Sequence, residues 1–192
     1  MFTVLLNSRN KDNKNINKSA KIRKTEKKKR RLQRSISRKY IKNKKGESYC
    51  KTRNIIKSER KLLKINKRLT NIRNDYIHKT THEIINRKPR FICIEDLNVS
   101  GMMKNKHLSK AIQQQKLYEF RRQIEYKSQN NNIKLVIADR FYPSSKRCNC
   151  CGKINKNLKL SDRIYKCECG YIEDRDYNAA LNLRDYGEKF VS

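Results

Sequence analysis

Five of the seven cysteines fall between positions 148 and 169, as Cys148-Asn149-Cys150-Cys151-Gly152 and then Cys167-Glu168-Cys169-Gly170. Two short thiol clusters at this separation have the spacing of a tetrahedral zinc site built from two knuckles. A glycine after each cluster permits a positive φ, so backbone N–H groups can turn toward the thiolates. The ligands expected from the spacing are Cys148, Cys151, Cys167 and Cys169. The second pair is C-x-C rather than C-x-x-C, and Cys150 remains an alternative thiol. Four thiolates on one Zn²⁺ leave a charge of about −2, set among Lys146, Arg147, Lys153 and Lys166. Buried or disulfide-linked cysteines are the competing explanation.

The chain of 192 residues is long enough to bury a core, and it carries 50 Lys and Arg against 18 Asp and Glu, a formal charge of +32. Such an excess works against compaction unless an anionic partner offsets it. Nucleic acid fits best, because phosphate contacts gain from counterion release; an anionic membrane surface is the rival. No apolar run approaches bilayer length, and Phe2–Leu6 is too short for a signal peptide. Together with the thiol clusters this reads as a reducing, cytoplasmic setting, nucleoid-associated, with no membrane partner. The charge is uneven: residues 1–90 hold 31 basic and 6 acidic side chains, residues 91–192 hold 19 and 12. A basic element therefore precedes a more balanced α/β unit.

Phe2–Leu6 reads as a short strand. Residues 19–40 form a Lys/Arg-dense helix with Ile22, Leu32, Ile36 and Tyr40 as its sparse apolar side, and residues 42–49, with Gly46, read as a loop. A second helix spans about 52–86, where Ile55, Leu62, Ile65, Leu69, Ile72 and Tyr76 recur at heptad-type steps. The pair predicts a basic helical hairpin. Pro89 stops the second helix. Phe91–Ile94 and Leu135–Ala138 are apolar runs of the kind covered on both faces of a parallel sheet, joined by a helix over 110–130 that presents Leu117, Phe120 and Ile124. The cysteine ribbon follows as an insertion, and a last helix covers 174–186. The expected divisions are 1–90, 91–144, 145–173 and 174–192.

Glu95 closes the first apolar strand, at the strand end where open α/β sheets place their sites. Asp174 is well placed as a helix N-cap. Asp176 shares a helix face with Ala179, Ala180 and Leu183, which directs it toward the sheet edge. Two such acids can hold Mg²⁺ or Mn²⁺ for phosphodiester hydrolysis, and spacing alone leaves surface charge as an equal explanation. His78 and His82 lie four apart on a helix with nothing to complete a metal site; they and His107 read as surface residues.

Four segments, Ile94-Glu95-Asp96-Leu97-Asn98-Val99-Ser100-Gly101-Met102, Asp139-Arg140-Phe141-Tyr142-Pro143-Ser144-Ser145-Lys146, the two Cys knuckles, and Asp174-Arg175-Asp176-Tyr177-Asn178-Ala179-Ala180, occur in this order. In that order they resemble the TnpB (OrfB) proteins of insertion-sequence transposons, RNA-guided DNA endonucleases related to type V CRISPR effectors and long described as transposases. The resemblance implies an α/β, RNase H-like (RuvC-type) core with a basic helical hairpin and an inserted zinc ribbon. It also implies DNA and a guide RNA as partners. Of the family's Asp, Glu and Asp metal ligands, the second matches Glu95 and the third Asp176. The first, on an opening strand ahead of Phe2–Leu6, has no match, since Asp12 lacks an apolar flank. The resemblance therefore implies an N-terminally truncated copy, lacking the first strand, cutting poorly alone unless the missing N-terminal fragment complements it. The alternative expectation is a non-catalytic nucleic-acid-binding regulator of transposition.

Overall fold

The computed structural model describes residues 16–159 and 161–191; the strand expected at Phe2–Leu6 lies outside them. The chain divides into two compact units. Among the described residues, one comprises 16–79 together with 114–116, the other 80–113 and 117 onward.

Helix α1 (Ala20–Lys42) dominates the first unit. It is rich in Lys and Arg, which lose little rotamer freedom in a helix, and it contains neither Gly nor Pro. The Ser19 side chain accepts from the Ile22 N–H, capping its start. The connection is a small hairpin, β1 (Lys44–Lys45) with β2 (Ser48–Tyr49), turned on Gly46 at φ 57, where a plain loop was expected. Helix α2 (Arg53–Asn86) then returns antiparallel to α1. The pairing is shown by contacts at both ends: Lys39 donates to Ser58 at 2.7 Å and Tyr40 to Glu59 at 2.7 Å, while Arg73 donates to Glu26 at 3.0 Å. Ile22, Ile36, Ile55 and Leu69 are buried along the shared seam. Each helix thus contributes one narrow apolar stripe and leaves the rest of its circumference to cations.

In the second unit, Asn86 ends α2, Lys88 adopts φ 47 and Pro89 prevents continuation. Strand β3 (Phe91–Glu95) pairs in parallel with β4 (Lys134–Ala138), with Cys93 opposite Val136 and Glu95 opposite Ala138. A short helix α3 (Val99–Met103), capped by Asn98, was not anticipated. The single helix expected over 110–130 is two, α4 (Ser109–Gln115) and α5 (Leu117–Asn130), broken at Lys116 with φ 52. Ile112 and Leu117 are both buried. In one straight helix, residues five apart point about 140° away from each other, so the break lets both turn inward.

Helix α6 (Arg175–Glu188) covers one face of the strand pair, where Leu183 packs with Cys93, Val136 and Ala138. The expectation that β4 is covered on both faces needs correction: Val136 and Ala138 are buried under α6, but Ile137 on the opposite face is 40% exposed. At Gly187 the helix touches the sheet, since a Cβ there would lie 2.4 Å from the Phe91 ring and 3.1 Å from the Cys93 Cβ. Gly187→Ala is therefore expected to destabilise this unit by about 1–3 kcal/mol through overpacking, read as a lower urea midpoint with an unchanged m-value.

Candidate functional site

The two knuckles bring four thiols together. The sulfurs of Cys148, Cys151, Cys167 and Cys169 all lie within 4.8 Å of one another, with Cys148 to Cys169 at 3.7 Å and Cys151 to Cys167 at 3.6 Å. These separations are far beyond a disulfide's ~2.05 Å. They match a tetrahedron with Zn–S of about 2.3 Å, whose edges are about 3.8 Å. Gly152 (φ 77) and Gly170 (φ 86) turn each knuckle, donating to the carbonyls of Cys148 and Cys167 at 2.9 and 3.0 Å. Cys150 is exposed and outside the cluster. The Lys153 N–H beside Cys151 holds that thiol down at about 7, whereas burial pushes Cys148 up. The donor set, soft and closed, fits a structural zinc ion.

Strands β5 (Ile164–Lys166) and β6 (Ile172–Asp174) form the antiparallel ribbon that carries the second knuckle. Tyr165, fully buried, donates its hydroxyl to the carbonyls of Lys146 and Lys153 on the first. The ribbon is fastened to α6 by two asparagines whose part the sequence reading missed. Asn178 donates to the Arg147 carbonyl at 2.7 Å and accepts from the Asn149 N–H at 3.1 Å. Asn182 donates to the carbonyls of Ser144 and Arg147 at 2.8 and 2.7 Å. Their four-residue spacing beside Ala179, Ala180 and Leu183 was a legible signal, because an amide on the buried side of a helix needs a specific partner.

Glu95 stands at the C-terminal end of β3, half-buried, and accepts from the Ser144 hydroxyl at 2.6 Å. Its neighbour Asp96 is otherwise engaged. It accepts from Arg121 at 2.7 Å and Arg140 at 2.6 Å, and Arg121, with Arg140 beside it, holds that carboxyl below the usual range. Burial, with the Glu95 charge adding, pushes the Cys93 thiol up to about 11. Asp174 is the N-cap of α6, accepting from the Asp176 and Tyr177 N–H groups at 2.9 and 3.0 Å. Asp176 lies half-buried in the first turn, with Arg175 at 3.3 Å.

The direction of α6 decides where Asp176 falls. Just beyond the helix's C-terminus, the carbonyls of Phe190 and Val191 accept from Lys134 and Arg90, residues at the starts of β4 and β3. The N-terminus of α6, with Asp176, consequently points toward the end of the sheet that carries Glu95. Among the described residues no third carboxylate or histidine joins these two in a cluster. His78, His82 and His107 are exposed, and His82 is hydrogen-bonded to Asn86.

Residues 118–183 match the Cas12f1-like, TNB domain family, a span that contains the four thiols and Asp176 but not Glu95. A protein of Streptomyces pristinaespiralis named as an RNA-guided DNA endonuclease is 37% identical over 153 residues, 80% of this chain and 36% of its own length. The TnpB-like protein L79 of Acanthamoeba polyphaga mimivirus is 35% identical over 140 residues, 69% of this chain and 26% of its own length. The chain belongs to the TnpB family. It spans well under half the length of either relative. Its fold is also similar to part of Cas12f1, solved by cryo-electron microscopy with its sgRNA and target DNA, at a TM-score of 0.52 and 21% identity, over 73% of this chain and 44% of that one. The first relative's coverage is longer than residues 91–192, so the likeness to TnpB proteins extends into the basic helices.

One zinc per chain is expected from metal analysis after chelator-free purification, lost in Cys148→Ser and retained in Cys150→Ser. Because binding requires all four thiols deprotonated, zinc is expected to be released as pH falls, followed with a colorimetric chelator.

Proposed function

We propose that this TnpB-family chain is a nucleic-acid-binding portion of an RNA-guided DNA endonuclease associated with DNA transposition. In this reading the β3–β4 pair and α6 belong to an RNase H-like (RuvC-type) core, with the zinc ribbon inserted ahead of α6. What supports it is that Glu95 closes β3 and that the first turn of α6, with Asp176, points toward the same end of the sheet, in a chain related to proteins named as RNA-guided DNA endonucleases. Both acids are hard oxygen donors suited to Mg²⁺ or Mn²⁺. Such ions, when bound, lower the pKa of water and offset charge on a phosphodiester. The protein's own part is to aim the carboxylates: Ser144 fixes one Glu95 oxygen, Asp174 anchors the turn from which Asp176 projects, and Arg121 with Arg140 keeps Asp96 away from the ion.

The basic hairpin supplies the affinity. Arg30, Arg34 and Arg38 line one exposed groove along α1, at a spacing that follows a phosphate backbone. Binding to DNA and RNA is expected to be sequence-tolerant and to weaken linearly on a logarithmic salt scale. Replacing the three arginines by Gln is expected to reduce that slope by up to about 3, measured by fluorescence anisotropy across a salt series. A slope unchanged by the triple substitution would remove α1 from the interface.

A second reading is favoured by one observation: among the described residues, Glu95 and Asp176 have no third acidic partner. Two carboxylates hold one ion weakly and leave a second ion and the attacking water poorly placed, which suits a nucleic-acid-binding regulator that does not cut. A polypeptide of these 192 residues is therefore expected to show negligible Mg²⁺-dependent cleavage of plasmid DNA. In an assembly with a guide RNA and further TnpB-family segments that cuts DNA, Glu95→Ala is expected to abolish cleavage. Cutting that survives Glu95→Ala would refute the assignment of this carboxylate.

A further inference from the structure

The segment between Glu95's partner and the first cysteine of the cluster is short and held at several points. Ser144, 6% exposed, gives its hydroxyl to Glu95 and its carbonyl to the Asn182 amide. Pro143 accepts from the Lys146 and Arg147 N–H groups at 3.0 and 2.9 Å, curling the chain into one turn. The Arg147 carbonyl then receives both Asn178 and Asn182 at 2.7 Å. Cys148 follows at once, its N–H bonded to the Lys153 carbonyl at 2.9 Å to close the knuckle. Asn182 is held from the other side, since the Tyr142 hydroxyl donates to its carbonyl at 3.2 Å.

One buried amide, 2% exposed, therefore binds both the residue that aims Glu95 and the residue that enters the knuckle. Water does not reach it to replace a broken bond, so displacing either carbonyl leaves a buried donor unmet. We infer that the Cys knuckle and Glu95 are one mechanical unit, in which Ser144 is a positioning residue for the carboxylate and Asn182 transmits the knuckle's geometry to Ser144. This rests on the reading of Glu95 as a ligand for a hard divalent cation. Filling the thiol site then strengthens binding of that cation at Glu95. By the reciprocity of linked equilibria, the cation also slows loss of zinc.

The test is a Mn²⁺ titration of the 192-residue chain by electron paramagnetic resonance, with folding checked by circular dichroism. In zinc-loaded protein, Ser144→Ala is expected to weaken Mn²⁺ binding about 10–100-fold, the range for loss of a partner that orients a metal ligand, and Ser144→Thr to retain it. Zinc-free wild-type protein, freed of chelator, is expected to bind Mn²⁺ more weakly than the loaded form, and Asn182→Ala to remove that difference. In a second readout, Mn²⁺ is expected to slow zinc transfer to a colorimetric chelator in wild type but not in Asn182→Ala. Wild-type affinity in Ser144→Ala overturns the positioning role, and equal affinity with and without zinc overturns the coupling. Where Asn182→Ala or the zinc-free chain loses its dichroism, the Ser144 pair decides. Mn²⁺ binding that is absent in wild type, or unweakened by Glu95→Gln, overturns instead the reading of Glu95 on which the inference rests.

Discussion

The arrangement of the second unit depends on how closely α6 can lie on the β3–β4 pair. Ala179, Ala180 and Gly187 give this helix a nearly flat face, and Leu183 packs with Cys93, Val136 and Ala138 while Tyr186 lies against the same cluster. Close approach has a polar consequence. Asn178 and Asn182, on the buried side, come near enough to the loop after β4 to bond its carbonyls directly. A bulkier helix face would hold that loop farther off and leave those amides unsatisfied, a cost of about 1–3 kcal/mol for each lost partner. Apolar contact sets the distance, and the amides convert it into a fixed register between helix, loop and ribbon.

The basic unit obeys a different constraint. With 31 cations in the first ninety residues, no element there can be covered on many sides, because a buried, unpaired cation is costly. Two long helices sharing one seam satisfy this with little burial, and the charged residues drawn into that seam are paired, as Arg73 is with Glu26 and Asn17. Most other Lys and Arg of the two helices are exposed. Their mutual repulsion is the same property that makes a polyanion a favourable neighbour.

Periodicity was enough to read the long helices, since Ile55 and Leu69 at heptad spacing and Pro89 after the last turn leave few alternatives. The cysteine cluster was legible because ligand spacing is a local property, and the structure excludes Cys150, whose sulfur faces outward. What sequence could not give was local backbone choice and long-range polar pairing. Lys116 at φ 52 has no marker in its residue type, so the break between α4 and α5 was invisible. The exposure of Ile137 depends on what covers β4, not on β4 itself. The sequence singled out Glu95 over Asp96, and the structure adds how each is held, Glu95 by Ser144 and Asp96 by Arg121 and Arg140.

The same logic explains why the cysteine ribbon can sit against the sheet and α6 without a linker. Asp174 is at once the last residue of β6, paired with Ile164, and the N-cap of α6. Its backbone belongs to the ribbon while its side chain receives the Asp176 and Tyr177 N–H groups. The ribbon's antiparallel register thus fixes the residue from which the first turn of α6 is measured, and Asp176 lies within that turn. At its other end the ribbon begins four residues after Ser144, the partner of Glu95. Each acid is therefore tied to one end of the insertion, Glu95 through a hydroxyl and a buried amide, Asp176 through a helix cap. The four thiols close the loop between those two ends. The ribbon does more than hang from the sheet, because it joins the loop that holds Glu95 through Ser144 to the helix that carries Asp176.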